Sequence, residues 1–163
     1  MRWRCFFLTM VTVLVGIILN LSPAPGIIGQ FRPDVLAMMV IFWCMKTPGF
    51  FNVGTSFMLG IFMDILLGSV LGCRALGYSI MAYVMVRYSK SLNDSSVFFQ
   101  SLAVFSVAIL SQAASLWSLH IFGGRVTDYH VLLCSLSAAV IWPFFHMIMS
   151  ALIRYAGLGR ILL

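Results

Sequence analysis

Apolar runs broken by short polar clusters recur along the whole chain. The first run, about 5–21, follows "MRWR" and ends at "SPAPG", where prolines and a glycine stop a helix. The second, about 34–47, opens behind Pro33 and closes before Pro48. A third, about 50–67, turns through "GSVLG" into a fourth, about 71–88. The polar loop "SKSLNDSS" leads to a fifth, about 97–122, and "GGRVTDYH" to a sixth, about 131–155. Pro143 predicts a kink in the last. At 1.5 Å per residue, about 20 apolar residues cover the roughly 30 Å of a bilayer's hydrocarbon. The pattern predicts one all-α domain over 1–163, a polytopic membrane protein with six transmembrane helices.

The second run is short, and an incompletely crossing helix competes with a full span. Basic residues arbitrate. If the run crosses, Arg2, Arg4, Lys46, Arg87, Lys90, Arg154 and Arg160 share one side, and Arg32, Arg74 and Arg125 the other, seven against three. If it does not cross, the split is four against six, with the N-terminus on the poorer side. The excess of Lys and Arg in cytoplasmic loops favours six spans with both termini cytoplasmic.

Composition strengthens the membrane reading. The chain is 62% hydrophobic and 9% charged, too little polar surface for water to be its main solvent. The net charge of +6 is scattered between apolar segments and forms no basic stripe, which excludes a nucleic-acid binder. The four cysteines form no C-x-x-C pair, and no metal or cofactor is expected. The N-terminus has the layout of a signal peptide, but its apolar run is long and further runs follow. It reads as an uncleaved first span.

The polar residues inside the apolar runs are the candidates for function. In the third run Asn52, Ser56, Gly60, Asp64 and Gly68 recur every four residues, a step that keeps them on one helix face. Such a face is either a packing seam, where small residues let backbones approach, or the lining of a ligand pocket or partner groove. Asp64 and Arg74 flank the turn bounded by Gly68 and Gly72, and a charge pair there is expected to lock the hairpin. In "FRPDVL", Pro33 suits the first position of a helix and Asp34 suits its positive end. With Arg32 and Asp34 exposed at a surface, the same stretch is a candidate contact site. Catalysis finds no support: His120, His130 and His146 lack metal-ligand spacing with a carboxylate, and His146 is expected to bond a carbonyl freed by Pro143.

Three stretches, "FRPDVLAMMVIFWCMKTP", "FNVGTSFMLGIFMDILLGSVLGCRAL" and "VIWPFF", resemble the rod shape-determining protein MreD family. Its R-P-D start, aromatic-Trp pair, following proline and G-x-x-x-D-x-x-x-G-x-x-L-G stretch correspond to Arg32, Pro33, Asp34, Phe42, Trp43, Pro48, Gly60, Asp64, Gly68, Leu71 and Gly72. Its late W-P pair corresponds to Trp142 and Pro143. The resemblance covers nearly the whole chain and is most specific over 31–76. It implies a non-enzymatic subunit of the bacterial elongation machinery in the cytoplasmic (inner) membrane. The implied partners are a single-span MreC-like protein, an MreB-like filament, and the glycosyltransferase and transpeptidase that synthesise peptidoglycan; membrane lipid and a second copy of the chain are further candidate partners. Arg32, Asp34, Trp43, Asn52, Ser56, Gly60, Asp64 and Arg74 are the candidate contact residues; Pro33, Pro48, Gly68, Gly72, Trp142 and Pro143 the structural ones. At the level of fold, such proteins also look like the six-helix substrate-binding subunits of energy-coupling-factor transporters. That likeness keeps a small-ligand or lipid-precursor binding or transport subunit as the second reading.

Overall fold

A computed structural model of the chain describes residues 2–22, 33–121 and 129–157. The apolar runs fold as six helices, and among the described residues no strand forms. They are α1 (Arg2–Leu21), α2 (Val35–Lys46), α3 (Val53–Leu67), α4 (Cys73–Asn93), α5 (Val97–Ile121) and α6 (Tyr129–Tyr155). Three of them contain stretches long and apolar enough to cross a membrane: Trp3–Leu21, Val97–Ala114 and Cys134–Tyr155. Helices α2 and α3 are apolar but shorter, and α4 is long but more polar. "SPAPG" and most of "GGRVTDYH" lie outside the described residues.

Local chemistry sets the helix ends. Helix α3 starts at Val53, later than the hydrophobic run suggests, because Asn52 builds a capping box. The Asn52 side chain accepts from the N–H of Gly54 and Thr55, and Thr55 Oγ1 accepts from the N–H of Asn52. Phe51, just before the cap, is buried. Pro48 opens the turn between α2 and α3, and Phe50 and Phe51 donate there to the Thr47 carbonyl. Helix α4 runs past the end of the apolar run at about 88 to Asn93, taking in five of the eight residues of the polar stretch "SKSLNDSS". The extension is anchored, since Asn93 Nδ2 donates to the Met45 carbonyl at 2.9 Å. Helix α6 continues unbroken through Pro143.

At the centre lies α2. Every residue from Leu36 to Met45 is buried, as expected of a helix apolar on all sides. Helices α1, α4 and α6 pack around it, α3 and α5 pack on α4, and α5 also packs on α6. The Phe42 ring stands edge-on to Trp43 (5.8 Å), Phe145 (6.4 Å) and His146 (5.7 Å). Met38, Met39, Met45, Met63, Met81 and Met85 fill the remaining gaps, a use that suits an unbranched side chain. Twelve helical residues make α2 about 18 Å long, well short of a bilayer's hydrocarbon. Its ends therefore need protein partners for their backbone groups, and the polar cluster described next meets one of them.

Candidate functional site

The sequence offers two carboxylates in the family-like block, and the fold brings both to one end of the bundle. There the last turn of α1, the start of α2, the end of α3 and the start of α4 meet.

Asp64 lies in the last turn of α3 and is wholly buried. Its oxygens are filled by neutral donors. Oδ1 accepts from Ser69 Oγ at 2.9 Å, Oδ2 accepts from Gly72 N at 2.9 Å, and Arg74 N donates at 3.2 Å to each oxygen. The first N–H groups of any helix lack partners inside it. Gly72, the residue at the cap position of α4, has no side chain to supply one. Asp64 takes over that task from the preceding helix, and its negative charge complements the positive end of α4. The turn between them uses glycine where left-handed backbone is required: Gly68 (φ 62°) and Gly72 (φ 100°).

One helical turn back, Gly60 allows the two helices this proximity. A Cβ there would lie 2.3 Å from Ala75 Cα and 2.7 Å from Ala75 N. Ser56, another turn back, is also wholly buried; its hydroxyl donates to the Asn52 carbonyl and stands 3.8 Å from Cys44 Sγ. The four-residue repeat of α3 is thus closed against its neighbours over Ser56, Gly60 and Asp64.

Asp34 is the second node. It caps α2 by accepting from Ala37 N at 3.0 Å. The same oxygen accepts from Asn20 Nδ2 at 2.7 Å, which ties in the end of α1. The other oxygen accepts from Tyr78 OH at 2.7 Å and faces Arg74 Nη1 at 3.7 Å. Arg74 is thus split between the carboxylates. Its backbone N–H belongs to Asp64, and its guanidinium pairs with Asp34. The expected side-chain pair of Asp64 and Arg74 is corrected here: the buried carboxylate is already saturated by hydroxyl and backbone donors, so the guanidinium serves the acid that has room for it.

The remaining candidates take up separate posts. Trp43 is wholly buried, and its Nε1 donates to Thr12 Oγ1 at 3.0 Å, fastening α1 to α2. Asn52 is exposed and engaged in capping α3. Pro33 precedes the Asp34 cap, two positions before the first helical position expected of it. Trp142 is wholly buried in α6 beside Pro143. Arg32 and the side chains of His120 and His130 lie outside the described residues. Sequence reasoning missed Asn20 and Tyr78. The signals were present but faint: a lone asparagine in the last turn before "SPAPG", and a tyrosine four residues after Arg74, on the same helix face.

Among the described residues no three His, Cys, Asp or Glu come together as metal ligands. Two carboxylates collect backbone and side-chain donors from four helix ends and fix their relative positions.

The model of one protein family, rod shape-determining protein MreD, matches residues 1–152. A rod shape-determining protein MreD from Haemophilus influenzae is 28% identical over 157 residues, covering 91% of this chain and 94% of that protein. No solved structure matches the chain.

Proposed function

The chain belongs to the rod shape-determining protein MreD family, and from that premise we propose that it is a non-enzymatic, multi-pass subunit of the bacterial elongation machinery. The family places it in the control of cell shape. In the proposed reading it sits in the inner membrane with six crossings and both termini cytoplasmic. It binds a single-span MreC-like protein and helps organise peptidoglycan synthesis beside an MreB-like filament and the wall synthases. The observation that carries the reading is the family match over residues 1–152.

The geometry supports a scaffold. Both carboxylates of the cluster are occupied by the chain's own donors, and neither is left as an acid or base for chemistry. The bonds from Asp34 to Asn20 and Tyr78, and from Asn93 to the Met45 carbonyl, make α2 antiparallel to α1 and parallel to α4. Side chains thus tie the start of α2 to the second turn of α4 and the end of α2 to the last residue of α4, which supports α2 crossing beside it. The ligand-binding alternative rested on the polar face of α3. Over Ser56, Gly60 and Asp64 that face is buried, with Ser56 beside Cys44 of α2 and Gly60 against the Ala75 backbone of α4, which favours the packing seam.

The test is deletion of the gene in its rod-shaped host, with purification of a tagged copy in mild detergent. The expected result is rounded cells and stoichiometric recovery of a single-span partner. Rods that keep their shape, or a chain recovered with a small molecule and no protein partner, would overturn the reading.

A further inference from the structure

Trp142, His146 and Ser150 follow one another every four residues on α6 and share one face of it. Trp142 is fully buried and Ser150 is 7% exposed. Yet Trp142 Nε1, His146 Nε2 and Ser150 Oγ have no hydrogen-bond partner among the described residues. His146 therefore does not make, through Nε2, the carbonyl bond expected of it. A fourth orphan is on α5. Gln100, 4% exposed, donates from Nε2 to the carbonyls of Leu92 (2.9 Å) and Ser95 (3.3 Å), which fixes its amide and leaves Oε1 unpartnered.

Helices α5 and α6 pack together, and a connection of seven residues is too short to make a parallel pair of helices this long. They run antiparallel. Gln100 precedes the end of α5 by as many residues as Ser150 follows the start of α6, so both stand at one depth. The Trp142 and His146 rings are 6.2 Å apart, and Phe42 of α2 closes on His146 at 5.7 Å. Pro143, which has no N–H, also leaves the Ala139 carbonyl without its helical donor within a turn of Trp142.

Buried polar atoms in native proteins are nearly all hydrogen-bonded, to protein or to ordered water. The chemistry of these groups selects the occupant. None of the four is a carboxylate or thiolate that would neutralise a cation, and none is a fixed positive charge for an anion. An indole N–H donates, an amide carbonyl accepts, and a hydroxyl and a neutral imidazole do either. Water matches that set because it donates and accepts at once. We propose that Trp142, His146, Ser150 and Gln100 line an internal hydration site that holds ordered water inside the bundle, where α6 meets α2 and α5.

Trp43 provides an internal control. It is as buried as Trp142, but its Nε1 is satisfied by Thr12. X-ray hydroxyl-radical footprinting of the purified full chain in detergent labels buried side chains that touch bound water. Trp142 is expected to oxidise several-fold faster than Trp43. Ser150→Ala and His146→Phe are expected to slow Trp142 and leave Trp43 unchanged. Equal, slow labelling of the two tryptophans overturns the proposal, and is also the result if a lipid tail fills the space. Fast labelling of Trp142 that neither substitution alters overturns it too, because the water then arrives by another route. Should a variant loosen the fold, seen as faster labelling of Trp43, the contrast in the unmodified chain decides alone.

Discussion

The backbone N–H of Arg74 donates to the carboxylate of Asp64, 3.2 Å from each oxygen, while the guanidinium of the same residue turns away to Asp34. Asp64 is therefore a helix cap supplied by the previous helix, and Arg74 contributes to it through its main chain. Main-chain contacts survive side-chain substitution, so the two residues are expected to be energetically independent.

That independence is measurable by thermal melting in detergent. Asp64→Ala strips acceptors from Gly72 N, Arg74 N and Ser69 Oγ, and each buried donor left unpaired costs about 1–3 kcal/mol. Arg74→Ala keeps its N–H and should cost far less. The losses should add within about 0.5 kcal/mol in the double mutant. A coupling clearly above that value would restore a direct side-chain pair.

For Asp34 the opposite holds. Its contact with Tyr78 is a 2.7 Å side-chain bond between α2 and α4, and Tyr78 is buried. Asp34→Ala and Tyr78→Phe should couple by about 0.5–3 kcal/mol. The 3.7 Å ion pair with Arg74, whose side chain is 36% exposed, should add at most about 1 kcal/mol. A cycle in which Arg74 couples to Asp34 more strongly than Tyr78 does would contradict this order.

Gly60→Ala should destabilise, by about 1–3 kcal/mol from overpacking alone, because the added methyl meets the Ala75 backbone, which cannot rotate away. Gly54→Ala is the control. The nearest atom to its added carbon is Asn52 Oδ1 at 3.5 Å, an ordinary contact, and alanine there should favour α3 by up to about 1 kcal/mol. Melting shifts of the same sign for both substitutions would argue against close packing at Gly60.

Reporter fusions after Lys46 and after Leu92 should both report the cytoplasm. Lys46 ends α2, and Asn93, next to Leu92, bonds back to the Met45 carbonyl, so the two sites share a level. A fusion at Lys46 that reports the outer side, or neither side, would mean that α2 does not cross.

By itself the sequence determined the helical class and where the polar chemistry would concentrate. Runs such as 97–121 admit little but a helix, because backbone groups in lipid need partners within their own segment. The glycine spacing around Asp64 likewise announced a tight turn with a carboxylate beside it. What lay beyond it was the assignment of partners. Asp64 and Arg74 are near in sequence and opposite in charge, yet the donor that binds Asp64 from Arg74 is an amide that every residue but proline carries. Asp34 meets Tyr78 across 44 residues, and no local rule reports such a contact. That α4 continues past the apolar run to Asn93 was out of local reach for the same reason, because Asn93 Nδ2 donates to the carbonyl of Met45, 48 residues away. Hydrophobic periodicity records which face of a helix avoids water. Which donor reaches which acceptor depends on how closely the helices approach, and that was decided only when Gly60 came to rest on Ala75.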